Sequence, residues 1–349
     1  MIRYTQMSIS DGSRLSRVSE PRSVNHEDEK TNLALVLDNF KDKYSTFPKE
    51  RGWMGENLYM YRGYWFTSKT AFAIETTIAM QDTFQAHSTD IFLITQPKAG
   101  TTWIKALVFA TVNRFKYKTN SLLTHPLRTI NPHKCVPFVE LEFLSNFPAY
   151  RNEEDQPRIF GTHKPYTVLP QSIHDAGCRL IYVCRNPKDI LVSWFLFANK
   201  MSDRPRVQMT LDEMFEVYTK GLMPYGPYWD HVKEHYKVSL EQPTRILFLT
   251  YEEMKRDTSN TVKRLAEFLG CPFSKEEEAK GVVEEITALC SFETLKEVNQ
   301  HGNYRDGVTN ESFFREGKVG GWSKYLTTEM SQTLDDITNE NFKGLDISF

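Results

Sequence analysis

Three short apolar runs limit the folds open to this chain more than any other feature of its sequence. They read IFLIT at residues 91–95, RLIYVCR at 179–185 and RILFLTY at 245–251. Runs this rich in Val, Ile, Leu and Phe are typical of parallel strands covered on both faces. A helical pattern follows each run. We therefore predict an α/β fold in a single domain, with a central, mostly parallel β-sheet flanked by helices.

The N-terminal part of the chain differs from the rest. Residues 1–40 are polar and lack sustained periodicity, so we expect a disordered tail there and the folded domain over residues 41–349. The tail is Ser-rich and contains four arginines, as a transit peptide does, but Asp11 and Glu20 interrupt it. We favour a plain tail over a targeting segment.

Charge and cysteine content exclude several classes of protein. The 349 residues include 43 basic and 45 acidic side chains, and a net charge of −2 does not suit a nucleic-acid or anionic-membrane binder. No stretch offers the roughly 20 apolar residues of a membrane span. Five cysteines without a CxxC pair predict neither a disulfide framework nor a zinc site, and they favour the cytoplasm.

The joint after the first run, residues 97–103, reads PKAGTTW and contains groups that suit an anion. A helix starting near Thr101 has N–H groups without helical partners, and its dipole adds positive charge. Gly100 permits close approach of a ligand, and Lys98 adds a full charge, so the joint suits a phosphate. A strand–helix turn with threonine caps fits equally well. The lysine precedes the glycine, which excludes a Walker A loop.

The second run ends in Arg185, with Ser193 eight residues further on in a predicted helix. An arginine can bind a phosphate through two hydrogen bonds, and a serine can complete the site. Taken alone, a surface ion pair between Arg185 and Asp189 is the favoured interpretation. Because ligands of parallel sheets bind beyond the carboxyl ends of the strands, both joints point to the same edge.

Two further segments contribute candidate residues. FFREGKVGGW, residues 313–322, places Arg315 among glycines and is either an exposed loop or a flap over an anionic ligand. His163, in GTHKP, follows a short apolar run and is a candidate base, although a lone histidine is more often structural.

The order of these motifs resembles the cytosolic sulfotransferases, and most closely the soluble plant members. The motifs are QPKAGTTW, GTHKP, CRNPKDILVSW, LTYEEMK, CSFE and FFREGKVGGW, and the resemblance covers roughly residues 45–349. It implies an enzyme that moves a sulfuryl group from 3′-phosphoadenosine 5′-phosphosulfate (PAPS) to a hydroxyl of a small acceptor, without a metal ion.

The resemblance also implies a role for each site residue. A P-loop-like segment would hold the 5′-phosphosulfate and consists of Lys98, Ala99, Gly100, Thr101 and Thr102. The adenosine would contact three aromatic residues, namely Trp103, Tyr251 and Phe292. The 3′-phosphate site would comprise Arg185, Ser193, Arg315, Glu316 and Gly317. His163 would be the catalytic base, and Lys98 would neutralise the leaving phosphate oxygen.

Three positions depart from the family pattern. Ala99 stands where a hydroxyl or thiol is common, Glu316 replaces a lysine, and Lys164 follows the catalytic histidine where leucine is common. An acid at position 316 would weaken donor binding or loosen the flap, and Lys164 would depress the pKa of His163 or bind an anionic acceptor. Because of these departures, a catalytically weak, PAPS-binding regulatory protein stays an alternative function. A nucleotide kinase is a second alternative, but it would need Mg²⁺ and the Walker order of lysine and glycine, which this loop lacks.

The sequence constrains the acceptor and the oligomeric state less directly than it constrains the donor site. Pro137, Phe138 and residues 64–66 are expected to line the acceptor pocket. Phe138 favours a phenolic such as a flavonoid, whereas Lys164 at the pocket mouth favours a carboxylated acceptor such as hydroxyjasmonate; brassinosteroids and desulfo-glucosinolates stay open. The animal dimer motif agrees at one of four positions, so a monomer is expected; those positions are Ser323, Thr327, Thr328 and Gln332.

Overall fold

Nine strands form three sheets in this computed structural model, which describes residues 46–68, 73–117, 125–145, 157–200, 209–305 and 308–349. The expected tail of residues 1–40 lies outside the described residues. The strands are β1 (Lys49–Arg51), β2 (Asn57–Tyr61), β3 (Tyr64–Phe66), β4 (Ile91–Thr95), β5 (Ile159–Thr162), β6 (Arg179–Cys184), β7 (Ile246–Thr250), β8 (Asn303–Arg305) and β9 (Val308–Thr309).

Helices fill most of the remaining described chain. They are α1 (Ile74–Thr83), α2 (Thr101–Val112), α3 (Pro132–Cys135), α4 (Val139–Ser145), α5 (Gln171–Asp175), α6 (Pro187–Lys200), α7 (Leu211–Thr219), α8 (Tyr228–Glu241), α9 (Tyr251–Arg256), α10 (Thr258–Phe268), α11 (Lys275–Ala279), α12 (Val282–Leu289), α13 (Phe292–Val298) and α14 (Thr328–Asn341). Short 3₁₀ turns, including Asn310–Phe313 and Gly321–Lys324, connect several of them.

The central sheet has the strand order β5-β4-β6-β7, and all four strands are parallel. Leu93 of β4 lies between Gly161 of β5 and Ile181 of β6, which fixes the register. The three runs singled out in the sequence are β4, β6 and β7, so the predicted α/β fold with a central parallel sheet is confirmed.

Both faces of this sheet are covered, which explains why its strands are apolar at most positions. Phe92 and Tyr182 face one core with residues of α1, α6 and α8. Leu93 and Ile181 face a second core with residues of α2, α10 and α12. Since successive strand residues point to opposite faces, neither face can carry polar side chains without burying them.

The antiparallel sheet β1-β2-β3 was not predicted from the sequence. Its strands have three to five residues, and β1 is exposed along its length, so the alternation that marks a longer strand is missing. Strand β5 was noticed only as a short apolar run before His163.

Two further observations concern the whole described chain. Among the described residues, no helix is both long and apolar enough to cross a bilayer. The five cysteines all lie in described segments and are unpaired thiols.

Candidate active site

The loop between β4 and α2 has a backbone that requires glycine at its end. Gly100 is the N-cap of α2 and lies in the left-handed region, with φ 102°. A Cβ atom at this position would lie 2.8 Å from the ring of Tyr251. Lys98 also has a positive φ, of 72°. The loop therefore turns tightly at the carboxyl end of β4 and presents the N-terminus of α2 beyond the sheet.

The side chains of this loop differ in what they contact. Ala99 is fully buried in the core, and its N–H donates to the carbonyl of Gln96 at 3.1 Å. The hydroxyl of Thr101 lies 2.7 Å from that of Thr95, and the hydroxyl of Thr102 lies 2.9 Å from Nε2 of His133. Ala99 thus shapes the loop, while both threonine hydroxyls are held in place by protein groups.

Lys98 belongs to a cluster of cations at this edge of the sheet. Its Nζ lies 3.9 Å from the centre of the Phe197 ring. Enclosure by protein atoms lowers the pKa of Lys98 to about 7, and the positive charges of Arg185 and Arg315 act in the same direction. Like charges gathered around this amine make the loop a site that favours a bound anion.

Arg185, just beyond the end of β6, is held by backbone oxygens. It donates from Nη2 to the carbonyl of Lys318 at 2.8 Å and from Nη1 to that of Lys98 at 3.4 Å, and its guanidinium lies 4.3 Å from the Tyr251 ring centre. Its buried Nε lacks a hydrogen-bond partner within the described segments. Ser193 lies two turns into α6 and is also buried.

Asp189 connects α6 to the glycine-rich segment near the C-terminus. Its fully buried carboxylate accepts hydrogen bonds from the N–H groups of Gly320 at 2.8 Å and Trp322 at 3.1 Å. The carboxylate also lies 3.5 Å from Arg185 and 3.6 Å from Arg315. The pair between Arg185 and Asp189 therefore exists, but it is buried rather than on the surface, and residues 313–322 are fixed to α6 by it.

The two remaining positions of this segment have different surroundings. The carboxylate of Glu316 pairs with Lys324 at 3.2 Å, and this hydrogen bond lowers the pKa of Glu316. Gly317 has φ 64°, and a Cβ there would collide with the ring of Phe292. Phe292 thus packs directly against the backbone of the segment.

Aromatic rings surround the cation cluster on the side of β7. The rings of Trp103 and Tyr251 meet edge to face with centres 5.4 Å apart, and Trp103 and Phe292 both pack against the second core. Lys255 lies 5.3 Å from the Trp103 ring centre. Flat apolar faces beside guanidinium groups are typical of sites that bind a purine and its phosphates.

His163 follows the end of β5 on the opposite side of the loop. Its Nδ1 lies 2.7 Å from the carbonyl oxygen of Thr95, so Nδ1 carries the proton and Nε2 carries the lone pair in the neutral ring. Burial lowers the pKa of His163 to about 4, although the hydrogen bond to Thr95 acts against the shift. The ring is therefore neutral at physiological pH. Phe138 and Tyr225 lie beside it, with ring centres 4.8 and 5.9 Å away.

Lys164 does not lie at a pocket mouth, so that prediction is wrong. Its side chain is fully buried and its Nζ lies 2.8 Å from Oε1 of Glu140, which is also fully buried. Adjacent residues at a strand end point in opposite directions, which turns Lys164 into the core while His163 faces outward. Its charge is one of the smaller contributions that lower the pKa of His163.

The chain that brings together this phosphate-type loop, arginine pair and neutral histidine is similar to proteins of known function. Residues 88–346 match the sulfotransferase domain. The chain belongs to the sulfotransferase family. Cytosolic sulfotransferase 12 of Arabidopsis thaliana is 39% identical over 87% of this chain and 92% of its own length. Cytosolic sulfotransferase 11 of the same plant is 42% identical over 86% of each chain.

Solved sulfotransferase structures agree with the fold. An Arabidopsis thaliana sulphotransferase superposes with a TM-score of 0.72 at 34% identity, over 95% of this chain and all of that one. A mouse sulfotransferase in complex with 3′-phosphoadenosine 5′-phosphate (PAP) superposes with a TM-score of 0.60 at 26% identity, over 83% of this chain and 95% of that one. The resemblance to plant cytosolic sulfotransferases and the assignment as an enzyme are confirmed.

Sequence reasoning missed two residues of this sulfotransferase site. His133, in the NPHK segment, contacts Thr102 through Nε2 and stacks on Phe138 with ring centres 5.4 Å apart. Asp189 was considered only as a surface partner of Arg185. A histidine following Asn-Pro at the start of a short helix is a weak signal, and the flap contact of Asp189 spans more than 130 residues of chain.

The role of Asp189 predicts how this sulfotransferase responds to loss of one charge. Asp189→Asn leaves at most one good acceptor for two N–H groups, so amide exchange at Gly320 and Trp322 should rise at least about tenfold, the equivalent of one hydrogen bond. Hydrogen-exchange mass spectrometry of peptides covering residues 313–324 measures this. Asp335→Asn, which removes a half-exposed carboxylate paired with Lys188, is the control. Equal exchange in both variants contradicts the anchoring role.

Proposed function

We propose that this sulfotransferase transfers the sulfuryl group of PAPS to a hydroxyl of a small, phenolic acceptor. The observation that carries the proposal is the convergence of Lys98, Arg185 and Arg315 on one loop, beside a histidine held neutral with its lone pair on Nε2. PAP, the desulfated donor, is bound by the mouse relative, which supports the choice of donor.

The residues at the loop fit a donor with two anionic ends. Arg185 and Arg315 each have a buried nitrogen without a partner in the described parts of the chain, as expected of a site that awaits a phosphate. We assign the 3′-phosphate to these arginines with Ser193, Glu316 and Gly317. The salt bridge with Lys324 offsets the charge of Glu316, so its repulsion of that phosphate is smaller than the sequence alone predicts.

The other end of the donor would lie at the start of α2. Unpaired N–H groups and the helix dipole favour an anion there, and Lys98 adds its charge. The adenine would lie against Trp103, Tyr251 and Phe292, whose rings border the arginines. Ala99 would contribute through the loop backbone, and Thr101 and Thr102 through their hydroxyls.

The transfer requires a proton acceptor for the hydroxyl and positive charge at the leaving oxygen. Nε2 of His163 takes the proton of the acceptor hydroxyl as the bond between that oxygen and sulfur forms. The bond between sulfur and the 5′-phosphate oxygen breaks, and Lys98 neutralises the negative charge that this oxygen gains. Positioned general bases contribute about 10²–10⁴-fold to rate, and electrostatic positioning supplies most of the rest in such in-line transfers.

The surroundings of His163 favour a phenolic acceptor such as a flavonoid. Phe138 and Tyr225 flank the imidazole and would stack on an aromatic ring. The argument for a carboxylated acceptor such as hydroxyjasmonate rested on Lys164, which is paired with Glu140 in the core.

We place the enzyme in the cytosol, as the names of its Arabidopsis relatives suggest, and propose that it acts as a monomer.

Calorimetric titration with PAP in EDTA tests the donor site. Micromolar binding is expected, with adenosine 5′-phosphate binding at least about tenfold more weakly, since one charge-assisted phosphate contact contributes roughly 1.5–3 kcal/mol. Binding that requires Mg²⁺, or equal affinity for the two nucleotides, contradicts the proposal. PAP binding without turnover on any phenolic or alcoholic acceptor would support a regulatory protein instead.

Replacing the base tests the chemistry separately from binding. His163→Ala should lower kcat by about 10²–10⁴-fold while PAP affinity stays within about threefold, because the imidazole acts on the acceptor and not on the nucleotide. Turnover is measured with PAPS and p-nitrophenol. His87→Ala, at the opposite end of β4, is the control. A parallel loss of PAP affinity in His163→Ala would assign His163 to the donor site.

The pKa of Lys98 predicts how donor affinity depends on pH. Its cationic form is present below about pH 7 and is lost as the pH rises through that value, because the pKa is lowered to about 7. Both phosphates of PAP are fully ionised above pH 7, so affinity should fall by up to about tenfold per pH unit between 7 and 9. Lys98→Arg keeps its charge throughout this range and should remove the slope. Equal slopes in the two proteins contradict the assignment.

A further inference from the structure

Lys105, in the second turn of α2, has a buried side-chain amine that the proposed mechanism does not use. Its side chain is fully buried, and its Nζ finds no hydrogen-bond partner in the part of the chain that the structure describes. Removing an ammonium from water without a partner costs several kcal/mol. Stability alone therefore favours an apolar side chain at this position.

The structure provides a specific space for this ammonium. A Cβ at Gly161 of β5 would collide with Cε of Lys105 and lie 2.7 Å from its Nζ. Gly161 precedes His163 by two residues, so the ammonium occupies the place of a missing side chain next to the candidate base. The glycine leaves the volume that the end of this lysine occupies, and its own backbone angles do not require a glycine.

The ring of Phe138 connects Lys105 with His163. Nζ of Lys105 lies 3.4 Å from the ring centre, and the imidazole of His163 lies 4.8 Å from it. Phe138 forms a β-bridge with Gly161, which fixes the position of its ring beside both groups. Lys105 and His163 therefore both lie beside the Phe138 ring, on the acceptor side of the site.

The acids near Lys105 do not balance its charge. Glu140 is the carboxylate that influences it, but Oε1 of Glu140 already pairs with Lys164, and its buried Oε2 forms no hydrogen bond with Lys105 or any other described residue. Thr162 also donates to that oxygen. Two buried lysines thus share one carboxylate, which can neutralise the positive charge of only one of them. The ammonium form of the second lysine therefore lacks a counter-charge, which an arriving oxyanion would supply.

We propose that Lys105 is a second catalytic cation, which donates a hydrogen bond to an oxygen of the transferring sulfuryl group beside His163. The inference rests on the proposed function. The acceptor oxygen bonds to sulfur, its proton goes to Nε2 of His163, and the electron pair of the broken sulfur–oxygen bond goes to the 5′-phosphate oxygen. Lys105 keeps its proton throughout and stabilises the charge spread over the sulfuryl oxygens.

We expect Lys105 to gain a proton when the donor places its sulfuryl group in the site. Burial lowers the pKa of Lys105 well below its usual value in the ligand-free protein, and an anionic oxygen at Nζ would raise it again. PAPS binding should therefore take up more protons than PAP binding. Titrations in two buffers of different ionisation enthalpy measure this difference without any turnover.

Three variants separate the catalytic role from a structural one. Lys105→Met keeps the length and apolar packing, Lys105→Gln keeps a neutral donor, and Lys237→Met replaces a lysine that is 78% exposed. Loss of one preorganised donor lowers kcat by about 10²–10³-fold, which we expect for Lys105→Met with PAPS and p-nitrophenol. Lys105→Gln should fall between this variant and the wild type, and Lys237→Met should match the wild type.

The binding and stability measurements decide between the two roles. In Lys105→Met the melting temperature should stay equal or rise, PAP affinity should be unchanged, and the extra proton uptake with PAPS should disappear. A lower melting temperature in both Lys105 variants, or unchanged kcat and proton uptake, would overturn the inference. Absence of turnover in the wild type would refute the proposed function alone, because the comparison of PAPS with PAP still tests Lys105.

Discussion

The buried carboxylate of Asp189 is the interaction on which the rest of the site depends. It receives two backbone N–H groups from the glycine-rich segment and lies within 4 Å of Arg185 and Arg315. Without this negative charge, the two guanidinium groups would repel each other, and the segment would lose two backbone hydrogen bonds to α6. One carboxylate thus allows several cations to gather at the end of β6 while leaving them short of partners.

Burial also shifts the protonation of two groups that the proposed transfer uses. Lys98 and His163 both have lowered pKa values, to about 7 and about 4, and burial is the main cause in each. The same burial keeps the histidine able to accept a proton and makes the lysine dependent on an arriving anion. The protein therefore bears an electrostatic cost in the ligand-free state that a nucleotide with two anionic ends offsets.

The sequence predicted the features that depend on local pattern. The strands β4, β6 and β7 and the helix after Gly100 follow from continuous apolar runs and from a glycine that must adopt a positive φ. It did not predict that Lys164 turns inward to Glu140, because the direction of a side chain beyond a strand end depends on register. Nor did it single out Asp189 or Lys105, whose surroundings are built from distant parts of the chain.

The contact between Lys105 and Gly161 has a consequence for how this enzyme family can vary. The two positions lie on different elements, a helix and a strand, yet their side chains would compete for the same volume. A long side chain at the strand position would displace the end of a long side chain on the helix. Substitutions at the two sites should therefore be correlated among homologues, and the cation near the base could be supplied by either element but not by both.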